Sequence, residues 1–153
     1  LHHIAPLDRA LDRALESLRP GGLLIAEEFG YDRVNLPTAR WLYDLESILI
    51  AAGILAPAEE SDTDGNPLGR WRREHAHDPP LATGHAILAS ARERFELSPL
   101  EEAPYLYRYF CDRIEESERG RRTAGRILAL ETRLIRERDI AAAGLRFTGK
   151  APA

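Results

Sequence analysis

Two adjacent histidines, His2-His3, and the acidic-aromatic run Glu27-Glu28-Phe29 are the residues of this chain best suited to chemistry. An imidazole titrates near pH 6.5, so at neutral pH it can take a proton from an oxygen or nitrogen that is becoming a nucleophile. The glutamates follow a short continuous apolar run, Leu23-Leu24-Ile25-Ala26. That pattern belongs to a strand covered on both faces, as in a parallel sheet between helix layers. Alternation along the strand sends Glu27 and Glu28 to opposite faces. One of them then faces a ligand crevice and orients a substrate, with Phe29 counted as a further contact, while the other pairs with an arginine. In open α/β sheets the crevice lies beyond the carboxyl ends of parallel strands, where both segments fall. The bland alternative for His2 and His3 is a helix cap or a filled gap.

Trp71 and His75 lie in a long connection and are read as part of a lid over an apolar substrate; the plainer alternative is that Trp71 packs that connection onto the core. His75, His77, Asp78 and His85 invite a metal, but His-x-His in an irregular loop gives poor convergence, so the expectation is no metal. Tyr105, Tyr107, Arg108 and Tyr109 resemble a base-stacking platform; Tyr105 and Tyr109 are four apart, however, and on a helix they share one buried face. Arg119-Gly120-Arg121-Arg122 is flanked by Glu115, Glu116 and Glu118 and reads as a solvated helix start. Cys111 has no visible activating neighbour and reads as a small buried apolar residue.

These residues need elements to hold them. Leu7, Leu11, Ala14, Leu15 and Leu18 form an apolar stripe at helical spacing, ended by Pro20-Gly21-Gly22. A second helix spans 37–52, with Asn35 as cap, Pro37 in the first turn and an apolar face of Trp41, Leu45, Ile48, Leu49 and Ala52. Residues 54–80 are irregular, long enough for a loop or lid, with a single helical turn over 70–75. A helix over 81–94, with His85, Leu88 and Ala89 inward, precedes a strand over 95–100. Pro104 opens a helix reaching Ile114, a further helix covers 122–138, and Gly144–Gly149 is a closing strand. This alternation predicts one α/β unit over 1–153.

Composition narrows the class. The chain has 153 residues, 21 Lys+Arg and 25 Asp+Glu, for a net charge of -4. Such a balance argues against a dedicated nucleic-acid binder. No apolar run approaches the ~20 residues of a membrane span and no signal core is present, so the expected setting is cytoplasmic. One cysteine excludes an intrachain disulfide. There is no methionine, so Leu1 is taken as the first residue of a processed chain or of a piece of something longer.

Leu1-His2-His3-Ile4, a helix, and then Leu18-Arg19-Pro20-Gly21-Gly22-Leu23-Leu24-Ile25 resemble the second half of the class I S-adenosylmethionine-dependent methyltransferases. In many small-molecule members a Leu-His-His segment leaves the fourth strand and a Leu-Arg/Lys-Pro-Gly-Gly turn introduces the fifth. Pro104 to Tyr109 and Gly144 to Lys150 resemble the sixth-strand region and the last strand. The resemblance implies a partial Rossmann-like methyltransferase sheet, made of its last three strands and flanked by helices. The final strand, Leu145–Thr148, would lie between Leu23–Phe29 and Phe95–Leu100 and run antiparallel to both. It implies S-adenosylmethionine as cofactor, His2 as a cofactor contact, His2 or His3 as catalytic group, and a small-molecule methyl acceptor.

The family's Gly-rich loop and ribose-binding acid have no counterpart here, so the chain corresponds to the substrate-side half. Alone it is expected to be inactive and to bind the cofactor weakly. The alternative reading is a non-enzymatic remnant serving as a binding or assembly module. Its motive is the edge of Leu23–Phe29, left open for a homodimer or another chain.

Overall fold

A computed structural model describes residues 1–56, 65–77 and 79–153. Among them are six α-helices and a four-stranded antiparallel sheet. Contacts group the chain into two compact units: Leu1–Arg33 with His75–Ala103 and Ala143–Ala153, and Val34–Glu74 with Pro104–Ala142. The sequence taken alone reads as one unit; the structure presents two discontinuous ones. No helix among the described residues is long and apolar enough to cross a membrane.

The first unit holds helix α1 (Leu7–Glu16), strand β1 (Leu23–Phe29), a 3-10 turn (Tyr31–Arg33), helix α4 (Gly84–Arg92), and strands β2 (Glu96–Leu97), β3 (Glu101–Ala103) and β4 (Gly144–Lys150). β4 is central. β1 runs antiparallel along one side of it, from Leu23 opposite Lys150 to Phe29 opposite Gly144, and β2 and β3 lie on the other. The placement of the last strand between its two predecessors, antiparallel to both, is as expected.

The single strand expected over 95–100 is instead broken into two pieces. Leu97 stands opposite Gly149 and Glu101 opposite Arg146, so the outer strand carries one residue more than β4 over this stretch, a bulge. Pro99 has no N–H to donate, and the Ser98 hydroxyl accepts from the Thr148 N–H at 3.0 Å.

One face of this sheet meets α1 and α4. Leu11, Ala26, Ile87, Ala91, Leu145 and Phe147 form its buried core. Gly149 is required there: a Cβ would come within 2.8 Å of the Phe95 Cβ. Coverage of β1 on both faces, expected from its apolar run, is corrected, because Leu23 and Ile25 are 58% and 79% exposed. Their faces alternate with Leu24 and Ala26, and in this unit α1 and α4 reach the inner set. His85 is likewise corrected from inward to exposed, since α4 turns Gly84, Ile87, Leu88 and Ala91 to the core.

The second unit is helical: α2 (Leu36–Ala51), α3 (Pro67–Glu74), α5 (Arg108–Cys111) and α6 (Glu118–Glu137). Asn35 caps α2 as expected, its Oδ1 accepting from the Thr38 N–H at 3.0 Å. The buried face of α2 is Thr38, Ala39, Leu42, Glu46 and Leu49, with only Leu49 shared with the expected stripe. Ile48 is exposed because polar Thr38 and Glu46 take inner positions and find partners there. α3 lies inside the stretch expected to be irregular and exceeds the single turn foreseen, while residues 57–64 and 78 of that stretch lie outside the described residues.

Pro104 does not open a helix, and Tyr105 and Tyr109 do not share one. The N–H groups of Tyr105, Leu106 and Tyr107 all donate to the carboxylate of buried Glu131 at 2.8–2.9 Å. The helix follows only at Arg108. Cys111 is exposed, not buried, because this one-turn helix turns Phe110 inward instead.

Candidate functional site at the end of strand β1

At the carboxyl end of β1 the strand delivers Glu28 to the inner face and Phe29 into the core, while Glu27 points outward. Glu27 accepts from Arg146 Nε across the sheet at 2.6 Å, which removes it from the site. The chain's first residues are pinned beside this end by the His2 carbonyl, which accepts from the Ala82 N–H at 3.0 Å. Glu28 Oε2 lies 3.1 Å from His2 Nδ1, and Glu28 Oε1 accepts from the Leu1 amino group at 2.7 Å.

In the 153-residue chain burial alone would raise the Glu28 carboxyl, but hydrogen bonds from the Leu1 amino group and His2, together with their charges, hold it below the usual carboxylate range; in a chain extended upstream Leu1 offers an uncharged peptide N–H there instead. An ionised Glu28 can only accept, so His2 donates to it from Nδ1, and in the neutral imidazole this tautomer leaves Nε2 as the acceptor. A carboxylate behind an imidazole is the arrangement that orients a general base.

Rings extend the dyad into a ledge. The His2 ring lies 4.5 Å from His3 and 5.5 Å from Phe29, the latter edge-on. His75 stacks on Tyr31 at 5.9 Å and lies 5.8 Å from Phe29, while His77 sits 5.9 Å from His3. Desolvation and the charges of His2, His77 and the chain's amino group depress the His3 imidazole below its ordinary value.

α4 closes up on this end of the strand. The Gly84 N–H donates to Asp32 Oδ1 at 2.7 Å, and a Cβ on Gly84 would meet Leu145 at 2.8 Å and the Gly30 Cα at 3.1 Å.

The sequence singled out His2, His3, Glu28, Phe29 and His75, and the structure brings all five together. Tyr31 and His77 complete the group. Tyr31 carries no chemical signal of its own in the sequence, and His77 suggests itself only as a metal ligand. Their signal in the sequence is no more than an aromatic two residues past the strand and an alternating His-x-His.

Trp71 belongs to the helical unit, where it is buried on α3 with its ring 5.6 Å from Tyr109. It has the packing role rather than that of an exposed lid residue. Asp78 lies outside the described residues. Among those described, no three His, Cys, Asp or Glu side chains are placed to hold a metal ion. His2, His3, His77 and His75 form a row of rings 4.5–6.5 Å apart, tilted or edge-on to one another.

Comparisons with protein-family models, with curated proteins and with solved structures each give no match.

Proposed function

We propose that this chain is the substrate-side portion of an S-adenosylmethionine-dependent methyltransferase that acts on a small molecule. Its cofactor-holding strands would be supplied from outside these 153 residues. The observation that carries the reading is the sheet order β1-β4-β2, with the last strand of the chain antiparallel between two earlier ones. The resemblance of residues 1–29 to that family predicts this order. In a Rossmann-like setting, His2, His3 and Glu28 would stand at the crevice edge, where a ligand lies beyond the strand ends.

Within that reading each side chain has a task. Methyl transfer depends first on aligning nucleophile, methyl and sulfonium. Tyr31 and His75 present rings against which an acceptor packs, with the buried Phe29 behind them rather than in contact with it. His2 Nε2 takes the acceptor's proton as its nucleophile forms, and Glu28 stabilises the imidazolium that results. His2 doubles as a cofactor contact. The cofactor itself supplies an electrophilic methyl group when bound.

The test is transfer of isotopically labelled methyl from S-adenosylmethionine, using the chain extended upstream in its reading frame and a mixed panel of phenols, amines and carboxylic acids. Label appearing in a small-molecule product, and lost with His2→Ala, supports the reading. An extended protein that transfers no label contradicts it.

A second reading, a non-enzymatic assembly module, is favoured by one observation: Leu23 and Ile25 stand exposed on β1, whose one strand neighbour among the described residues is β4. A start codon immediately before Leu1 would favour that reading over the first.

A further inference from the structure

Helix α6 carries a row of arginines on its outward side. Arg119, Arg122, Arg126, Ala129, Arg133 and Arg136 follow one another at intervals of three, four, three, four and three residues, and all six are exposed. That spacing lines them up on one face of the helix. Gly120, Ile127 and Glu131 are buried on the opposite face. At 1.5 Å per residue the row is about 25 Å long.

The row is short of acidic partners. From Arg119 to Arg136 the sequence holds one acid, Glu131. Its carboxylate is buried and already accepts from the N–H groups of Tyr105, Leu106 and Tyr107. Acids stand only at the two ends, where Arg122 reaches Glu118 at 3.8 Å and Arg133 pairs with Glu137 at 2.9 Å. Among the described residues Arg119, Arg126 and Arg136 pair with no carboxylate. Read locally, Arg119 to Arg122 are offset by Glu115, Glu116 and Glu118; in the fold Glu115 and Glu116 precede the helix, and the arginines continue along it without them.

The surroundings of the row select its partner. The chain as a whole has a net charge of -4, which opposes a broad anionic surface. Screening over about 8 Å at physiological ionic strength leaves attraction for a partner narrow enough to touch the row alone. A helix that settles on a bilayer inserts apolar side chains, and the row's one apolar member is Ala129. Binders of single-stranded nucleic acid add aromatic rings on which bases stack, and the row has none. A second helix with carboxylates at the same spacing matches the row in length, width and charge, and planar guanidinium forks hold carboxylates. Gly125 and Thr132 lie exposed and short beside Ala129, and a Cβ on Gly125 would meet nothing within 4 Å, so nothing obstructs close helix–helix approach.

We propose that the arginine face of α6 docks an acidic α-helix of a partner protein, with Glu or Asp repeating at intervals of three and four residues. The contact stands on the helical unit alone and is independent of the methyltransferase reading.

The experiment is fluorescence anisotropy of a labelled, stapled alanine-based helical peptide of roughly 20 residues with glutamates at those intervals, titrated with the full chain. A stapled peptide of the same composition with its glutamates scattered round the helix is the control, and Arg126→Gln/Arg133→Gln is the variant. Both substitutions fall at exposed positions, where the fold tolerates change. The expected result is saturable binding that weakens with added salt, and is about tenfold weaker for the scattered peptide and for the variant. Absence of saturation, equal binding of the scattered peptide, or an unchanged variant would overturn the proposal. Tighter binding of oligouridylate or of phosphatidylserine vesicles than of the peptide would overturn it in favour of a nucleic acid or a membrane.

Discussion

Glu28 and His2, 26 positions apart in the chain, form a hydrogen-bonded pair with Oε2 3.1 Å from Nδ1. Glu28 is 9% exposed, and His2 presents its other ring nitrogen away from the carboxylate. The pair predicts a single tautomer. Nitrogen NMR of the neutral imidazole should show His2 protonated at Nδ1, and Glu28→Ala should release it to the usual mixture. Under the proposed methyl transfer, with His2 as general base, loss of such a base costs about 10²–10⁴-fold, so His2→Ala should fall in that range. A transferring protein whose rate ignores His2→Ala would remove His2 from catalysis while leaving the fold intact.

Acid stability follows from the same carboxyl. Its pKa is lower folded than unfolded, so the unfolded chain binds more protons in the interval between the two values. Its stabilising contribution is complete above the unfolded value and is lost as pH falls through the folded one. Glu131 works the other way: burial, the dominant influence, raises it against three backbone donors and Arg108. Urea titrations from pH 7 down to pH 3 on the parent and on Glu28→Gln separate the two contributions. The parent should lose more stability than the variant over this range, and equal slopes would show that the folded Glu28 titrates like an unfolded one.

Removing Glu131 should damage the helical unit. Its carboxylate is fully buried and accepts from three consecutive backbone N–H groups. Leaving buried donors without an acceptor costs about 1–3 kcal/mol each, so Glu131→Ala should destabilise by roughly 3 kcal/mol or more, with Glu131→Gln intermediate. A change below about 0.5 kcal/mol in denaturant unfolding, the size of an ordinary surface substitution, would show that the turn over 105–107 does not depend on it.

Much of the fold is legible in local pattern. The apolar run at 23–26, the Asn35 cap with Pro37, and the Gly144–Gly149 segment each announce their element within a few residues. Features made by distant partners are not. Nothing near Glu131 signals that three amides 24–26 positions away will converge on it. Glu46 sits in a helix as an ordinary charged residue until Arg70 and Arg113 arrive from other elements. That is why the inner face of α2 was expected one step around the helix. For the candidate site the residue types at His2, Glu28 and His75 were readable, but their pairing was not, because His75 and His77 come from more than 40 positions beyond β1. The bulge between β2 and β3 escapes for a similar reason: the Ser98 side chain stands in for a backbone acceptor.

The open face of β1 should make the chain associate. Leu23 and Ile25 are exposed on a seven-residue edge strand, and unpaired edges recruit other strands. Sedimentation across a wide concentration range should show self-association that Ile25→Lys suppresses. A monodisperse monomer at every concentration would mean the edge is sealed.

The central claim, that the chain is the substrate-side portion of a methyltransferase, is tested most directly by calorimetric titration of S-adenosylmethionine. The 153-residue chain and the same chain extended upstream in its reading frame are compared. The prediction is no measurable micromolar binding by the first and a dissociation constant of about 1 μM, near -8 kcal/mol, for the second. Micromolar binding by the 153-residue chain alone, or an extended protein that does not bind, would contradict it.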